Sequence, residues 1–261
     1  MTDVSIKFDN PEAYDQWMGV WTKIVGDRFL TWLQPNIGKH WIDIGCGNGA
    51  STEQILEKCS PSVIHALDPS EDQIKFAKSR KLTKLANFSI GDAEALTALD
   101  DQYDYAVMAL VLFFLPNPER GVSEMVRVCR SGGQVAAYVW DILGCGLPIN
   151  PTLKVLEARG VPFPIPPSSE ISTINALRAV FEKSGAKLVE TTTFRAERIF
   201  ASYEDYWGLS SQSSSVSPVI KNLNPKLIEE IKTEVKENLD IDQQGRVKAT
   251  AHANAVKGTV P

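Results

Sequence analysis

The run Asp43-Ile44-Gly45-Cys46-Gly47-Asn48-Gly49 holds the densest chemical information in this sequence. Its alternating glycines let a backbone come close to a ligand. The run also sits where an apolar stretch, Lys39 to Ile44, gives way to helix formers from Ala50 to Lys58. A strand turning into a helix presents free N–H groups to the anionic end of a ligand. Asp43, just before the first glycine, adds the opposite preference. A carboxylate there suits an ammonium or sulfonium and sits badly beside a pyrophosphate. The bland alternative is a tight turn whose glycines serve only its dihedral angles.

Two further acids follow strand patterns: Asp68 comes after the second strand, Ser62 to Leu67, and Asp92 just after the third, Ala86 to Ile90. Each could equally be a turn or capping acid. Holding all three acids at strand ends calls for βα units, and the pattern supplies them. Ser70, Glu71 and Asp72 open a helix that runs to about Arg80. Tyr103 to Leu110 reads as a fourth strand, Pro118 to Arg130 as a helix with proline in its first turn, and Gly133 to Trp140 as a fifth strand. Strands alternating with helices predict an α/β protein with a doubly wound, mostly parallel sheet.

After Asp141 the rhythm breaks. Six prolines between Leu147 and Ser169 predict a loop or irregular cap element. Ser172 to Ser184 reads as a helix and Ala186 to Phe194 as a strand. Asn224-Pro225 opens an amphipathic helix with Ile228, Ile231, Val235 and Leu239 on one face. Arg246 to Lys257 reads as a final strand, the serines of Ser210 to Ser217 as solvated loop, and the alternating Glu and Lys of Lys226 to Glu237 as a solvated helix face.

Taken in order, these segments resemble the class I S-adenosylmethionine-dependent methyltransferases, within them the small-molecule branch similar to the ubiquinone and menaquinone methyltransferases. DIGCGNG is similar to the family's acid followed by G-x-G-x-G, Ala66 to Ser70 (ALDPS) to its second-strand end, and Gly91 to Glu94 (GDAE) to its third. Arg127 to Gly133 (RVCRSGG) resembles the family's R-V-x-[KR]-P-G-G, with Ser131 replacing the proline. Tyr14 to Trp21 (YDQWMGVW) resembles the covering segment Y-D-x-x-M-G-x-W. Ala136 to Asp141, Glu204 to Trp207 and the terminal AHANAVKGTVP extend the likeness over nearly the whole chain.

The resemblance implies a Rossmann-like sheet of seven strands with an antiparallel last strand, and S-adenosyl-L-methionine as cofactor with S-adenosyl-L-homocysteine as its product. It assigns the cofactor to Tyr14, Trp21, Asp43, Gly45, Gly47, Asp68, Pro69, Asp92, Ala93 and Leu110, with Asp68 on the ribose hydroxyls and Asp92 on the adenine amino group. It also implies a single domain over residues 1–261. Covering helices would occupy 1–38 and the cofactor-binding half 39–141, followed by cap segments at about 142–170 and 201–239 with closing strands. Two other readings stay open. Gly45, Gly47 and Ala50 followed by Asp68 also satisfy the G-x-G-x-x-[G/A] fingerprint of an NAD(P)-dependent Rossmann oxidoreductase. Against it, no tyrosine is followed four positions later by lysine, as in short-chain dehydrogenases. The other is a non-catalytic subunit built on a cofactor fold.

Ligands of open α/β sheets bind outside the carboxyl ends of the strands, which brings in Leu110 to Phe114 and Trp140 to Leu143. The chain reads LVLFFLPNP where enzymes acting on adenine or glutamine amides carry [DN]-P-P-[YF], so an apolar wall and a small organic acceptor are expected. Candidate acceptor residues are Phe113, Phe114, Trp140, Asp141, Tyr206, Trp207 and Gln212, with plain packing as the alternative for each aromatic. Methyl transfer needs alignment above all, so no residue is singled out as catalytic. Asp141 is the best-placed acid, and His40, His65 and His252 read as structural.

Composition narrows the partners. Lys and Arg total 27 against 32 Asp and Glu, a net charge of −5, which argues against a nucleic-acid acceptor. An apolar share of 43% supplies a sizeable core. No run of ~18 apolar residues suggests a membrane span, and the polar Met1 to Asn10 carry no apolar run for a secretory leader. Cys46, Cys59, Cys129 and Cys145 form no C-x-x-C and read as reduced cytoplasmic thiols. No metal-ligand set is found: Asp240-x-Asp242 begins like a calcium loop but meets Ala251 where a bidentate Glu is needed. Nothing in the pattern specifies an oligomeric state.

Overall fold

The computed structural model describes residues 15–261. A π-helical turn, Asp15–Gly19, leads into α1 (Val20–Leu33). Three βα units and a lone strand follow: β1 (His40–Ile44) with α2 (Ala50–Cys59), β2 (Val63–Asp68) with α3 (Glu71–Ser79), the strand β3 (Asn87–Ile90), and β4 (Tyr103–Ala109) with α4 (Pro118–Val128), before β5 (Cys129–Trp140). β1 and β4 are buried almost throughout, as continuous apolar strands covered by helices on both faces must be. The helix starts follow local chemistry: the Ser70 hydroxyl accepts from the Gln73 N–H, and the Asn117 side chain accepts from the Arg120 N–H ahead of Pro118.

The second half adds α5 (Asn150–Ala158), α6 (Ile174–Lys183), β6 (Lys187–Phe200), α7 (Tyr203–Ser210), α8 (Ser217–Ile220), α9 (Pro225–Glu237), β7 (Asp240–Ile241) and β8 (Val247–Thr259). The sheet runs β3-β2-β1-β4-β5-β8-β6. β8 is antiparallel to both neighbours, the expected seven-strand path with its antiparallel last strand. The two-residue β7, pairing with β8 off that path, is an addition the sequence did not suggest.

Three expectations are corrected. Leu147 to Ser169 is not wholly irregular: Pro151 lies in the first turn of α5, where its missing N–H costs no hydrogen bond. The acidic face of α9 is not simply solvated, because Arg159 of α5 donates to Glu230 at 2.8 Å and to Glu234 at 2.9 Å, joining the two cap helices. Of the Ser210 to Ser217 stretch, Ser210 and Ser213 are buried.

β6 also runs further than its apolar pattern suggested. Its residue Phe194 pairs with Ala253, the same residue that pairs with Trp140 at the end of β5. The stretch from Ala196 to Phe200 therefore projects beyond the sheet's carboxyl edge, by roughly 20 Å at strand rise. On one face of this extension, Phe194, Ala196, Arg198 and Phe200 stand opposite Ala253, Ala251, Ala249 and Val247. The small side chains of β8 leave room for the aromatics of α1. Phe29 meets Tyr138 at 5.0 Å, Trp32 meets Phe194 at 6.1 Å and Trp21 meets Trp140 at 6.4 Å between ring centres. Among the described residues, no helix is long and apolar enough to cross a membrane.

This division of sizes gives a stability prediction. Ala253 is fully buried beside Trp140, so Ala253→Leu overfills the α1 interface. A loss of about 1–3 kcal/mol is expected, read as a lower thermal midpoint by calorimetry, whereas Leu143→Ala at an exposed site should leave the midpoint unchanged.

Candidate functional site

The site is built around the end of β1. Asp43 pairs with Ala66 on one side and Val107 on the other, so its carboxylate lies in the middle of the sheet with no exposure. One oxygen, Oδ2, accepts from the Thr52 hydroxyl of α2 at 2.7 Å. The other, Oδ1, is buried without a hydrogen-bond partner among the described residues. Burial pushes the Asp43 pKa from 3.8 up to about 6, the Thr52 and Ser51 hydroxyls offset part of this, and the nearby Asp68 charge adds to the rise.

The glycine loop wraps the space beside this acid. Gly45 has φ +72°, and a Cβ there would lie 2.5 Å from Val111 Cγ2, so only glycine lets the loop pass this close to the end of β4. Gly49, at φ +81°, precedes α2 and would place a Cβ 2.9 Å from that of Ala77. The Gly47 N–H donates to Asp68 Oδ2 and the Ser70 N–H to Asp68 Oδ1, each at 2.9 Å. Burial nonetheless raises the Asp68 pKa, with these two N–H groups working against it. An ionised carboxylate offers about four acceptor positions, so Asp68 keeps capacity for two more donors.

A clamp holds the loop from outside. Asn48 Nδ2 donates to Asp15 Oδ1 at 3.0 Å, and Arg80 Nε donates to the Asn48 carbonyl at 2.6 Å. Arg80 also pairs with Asp15 and, at 3.1 Å, with Glu53. The turn ahead of α1 is thereby tied to the glycine loop.

The remaining expected residues divide. Tyr14 lies outside the described residues. Trp21 is fully buried in an aromatic group with Trp17 at 6.2 Å and Trp140 at 6.4 Å, and its indole N–H has no partner among the described residues. Exposed Pro69 borders Asp68, and buried Ala93 borders Asp92. Asp92 is exposed, and its Oδ1 accepts from the Glu94 N–H at 2.8 Å, closing its own turn. Leu110, the residue after β4, has φ +63°, with its N–H held by the Tyr138 carbonyl at 2.8 Å. A side chain rarely adopts that backbone conformation, and strain of this kind gathers at functional sites.

On the acceptor side, Phe113 and Phe114 meet edge to face at 4.5 Å in a short turn pinned by Ser168, whose N–H donates to the Phe113 carbonyl. Tyr206 is buried, packs edge-on to Trp17 at 5.9 Å and to Phe200 at 5.3 Å, and donates to the Pro148 carbonyl at 3.4 Å. Trp207 is half-buried against Tyr203. Asp141 accepts from the Gly144 N–H at 3.1 Å, the turn role weighed against catalysis. Gln212 is not brought to the group: it is exposed and donates back to Gly208. Phe200 and Arg198 went unnoticed in the sequence because β6 was read as ending at Phe194; the alternation Phe194-Ala196-Arg198-Phe200 was the available signal.

Comparison with known proteins matches residues 42–137 to a family model described as a methyltransferase domain. The rice (Oryza sativa subsp. japonica) chloroplastic 2-methyl-6-phytyl-1,4-hydroquinone methyltransferase 2 is 33% identical over 111 residues, covering 42% of this chain and 30% of that protein. The methyltransferase GfsG of Streptomyces halstedii is 27% identical over 164 residues, covering 61% of this chain and 57% of its own. The match thus spans under a third of the rice protein and little over half of the Streptomyces one. Among solved structures, phosphoethanolamine N-methyltransferase 2 of Haemonchus contortus, in complex with S-adenosyl-L-methionine, superposes with a TM-score of 0.59 at 13% identity over 98% of this chain and 57% of that one. A protein of Anabaena variabilis described as a methyltransferase from an antibiotic biosynthesis pathway gives 0.65 at 14% identity over 91% and 99%. These likenesses show the fold.

The Asp43 geometry gives a pH prediction. A carboxylate whose pKa is about 6 when folded and 3.8 when unfolded is a stability cost that grows as pH rises between those values. It amounts to about 3 kcal/mol above them. Asp43→Asn should therefore raise the thermal midpoint at pH 8 and change it little at pH 4; an equal shift at both would contradict the buried charge.

Proposed function

We propose that this chain, which carries a class I S-adenosylmethionine-dependent methyltransferase domain, methylates a small organic molecule. The observation that carries the reading is the orphaned Oδ1 of Asp43 behind the glycine loop. An acid with no exposure and, among the described residues, no partner on one oxygen calls for a cation or donor beside it, and the second acid, Asp68, deepens the same negative potential. That donor set fits the ammonium-bearing end of the cofactor and disfavours a pyrophosphate, which weighs against the nicotinamide alternative.

On this reading Asp43 and the loop of Gly45 and Gly47 hold the amino-acid end, and Asp68 takes the ribose hydroxyls with its spare acceptor capacity. Asp92, Pro69, Ala93, Leu110 and Trp21 line the remainder. When bound, the cofactor supplies a methyl group already activated on a sulfonium. The protein's part is alignment and exclusion of water: the Asp15–Asn48–Arg80 clamp fixes the covering turn, and Trp140, Phe113, Phe114, Tyr206 and Trp207 offer an apolar acceptor wall. The net charge of −5 supports a small molecule over nucleic acid as acceptor. Four free cysteines, three of them buried, are consistent with a reducing compartment such as the cytoplasm.

Calorimetric titration tests the reading. S-adenosylhomocysteine should bind and NADH should not; the reverse would overturn the proposal. Asp68→Ala should weaken S-adenosylhomocysteine by about ten-fold or more through loss of charge-assisted contacts, and unchanged affinity would refute that assignment. Mass spectrometry for the gain of one methyl group across a metabolite panel then identifies the acceptor.

A further inference from the structure

Arg198 stands where the strand pattern calls for an apolar residue. Its row on β6 reads Phe194, Ala196, Arg198, Phe200, and its partner on β8 is Ala249. The other half-buried arginines each reach a carboxylate: Arg80 with Asp15 and Glu53, Arg127 with Glu124, Arg159 with Glu234, and Arg178 with Glu182. Among the described residues, Arg198 reaches none within ion-pair distance.

The guanidinium is held rather than loose. Its Nη1 donates to the carbonyls of Gln16 at 3.2 Å and Trp17 at 3.4 Å, and its carbon lies 4.5 Å from the centre of the Phe200 ring. No acceptor among the described residues takes its Nε or Nη2 hydrogens. A cavity of about 340 Å³ opens beside it, walled by Phe200, Ala201, Asp205 and Leu209. That cavity adjoins the aromatic group that leads through Trp17 and Trp21 to Trp140 at the end of β5.

We propose that Arg198 is an anion anchor, holding the carboxylate of a small molecule whose apolar, ring-bearing body packs on Phe200 and Leu209, at a site that shares no lining residue with the acceptor wall named above. This goes beyond the methyl-transfer reading and does not depend on it. A planar fork with free N–H groups suits a carboxylate, which can take two of them at once. Burial without a counter-charge lowers the Arg198 pKa, and a bound anion would relieve that penalty. Asp205, on the cavity wall but beyond ion-pair reach, repels further negative charge, so a monocarboxylate fits better than a phosphate dianion.

Benzoate and its uncharged isostere benzamide are the probes. Each is titrated into the full-length protein saturated with S-adenosylhomocysteine, read by calorimetry and by the fluorescence of Trp17, whose ring lies 5.9 Å from the guanidinium carbon. Benzoate should bind about ten-fold or more tightly than benzamide, and Arg198→Gln should erase that preference while Arg198→Lys keeps part of it. Equal binding of the two probes by the unmodified protein would overturn the proposal, as would a preference that survives in Arg198→Gln. The first comparison needs no variant, so a misfolded substitution leaves the test intact. Failure of S-adenosylhomocysteine to bind would instead overturn the methyl-transfer reading, and the probe comparison, repeated without it, would still decide the role of Arg198.

Discussion

A carboxylate in the middle of a parallel sheet, with one oxygen satisfied and the other not, is the constraint on which this site is organised. Asp43 has no exposure, and among the described residues the hydroxyls of Thr52 and Ser51 are the side-chain groups that offset its burial. Burying a charge in this way is unfavourable unless something compensates it. The glycine loop next in the chain supplies the opening through which compensation can come. Gly45 and Gly49 hold left-handed conformations at contacts that admit no side chain, so the loop can turn away from the acid without closing over it. The clamp of Asp15, Asn48 and Arg80 then fixes the loop's outer side.

The rest of the fold divides between holding that acid and building a chamber above it. Five parallel strands covered by helices provide the rigid platform, and the residues proposed to contact a ligand gather at its carboxyl edge. The chamber depends on a size exchange: alanines along β8 make room for the aromatics of α1, while β6 carries its own aromatics past the sheet edge. The two cap segments are tied to each other by the bond of Tyr206 to the Pro148 carbonyl and by the contacts of Arg159 with α9. On the proposed reading, cofactor platform and acceptor chamber are made from different parts of the chain.

That division also explains what could be read from the sequence. The platform was legible because its strands are short apolar runs, with local signals such as Ser70 and Asn117 at helix starts and glycines between. The acids at strand ends stood out for the same reason. The chamber was less legible because its logic is long-range. The extension of β6 to Phe200 depends on pairing with Val247, which no local window contains. Pro151 was read as a breaker when it starts a helix, and Glu230 and Glu234 as solvated when they meet Arg159, distant in sequence. Thr52 carried no signal of its role beside Asp43, since a lone threonine in a helix has many uses. Gln212 is a candidate only because it falls in a cap segment, and in the turn after α7 it is exposed and donates back to the Gly208 carbonyl.

The central claim is that Asp43 receives the cationic end of the cofactor, and proton release on binding tests it most directly. At pH 6 the buried acid is near half-protonated when free, and a cation beside it would hold it ionised. Titrating S-adenosylhomocysteine at pH 6 in buffers of different ionisation enthalpy should therefore report release of about half a proton per molecule bound, falling toward none at pH 8 and absent in Asp43→Asn. Binding without proton release at pH 6 would contradict the account.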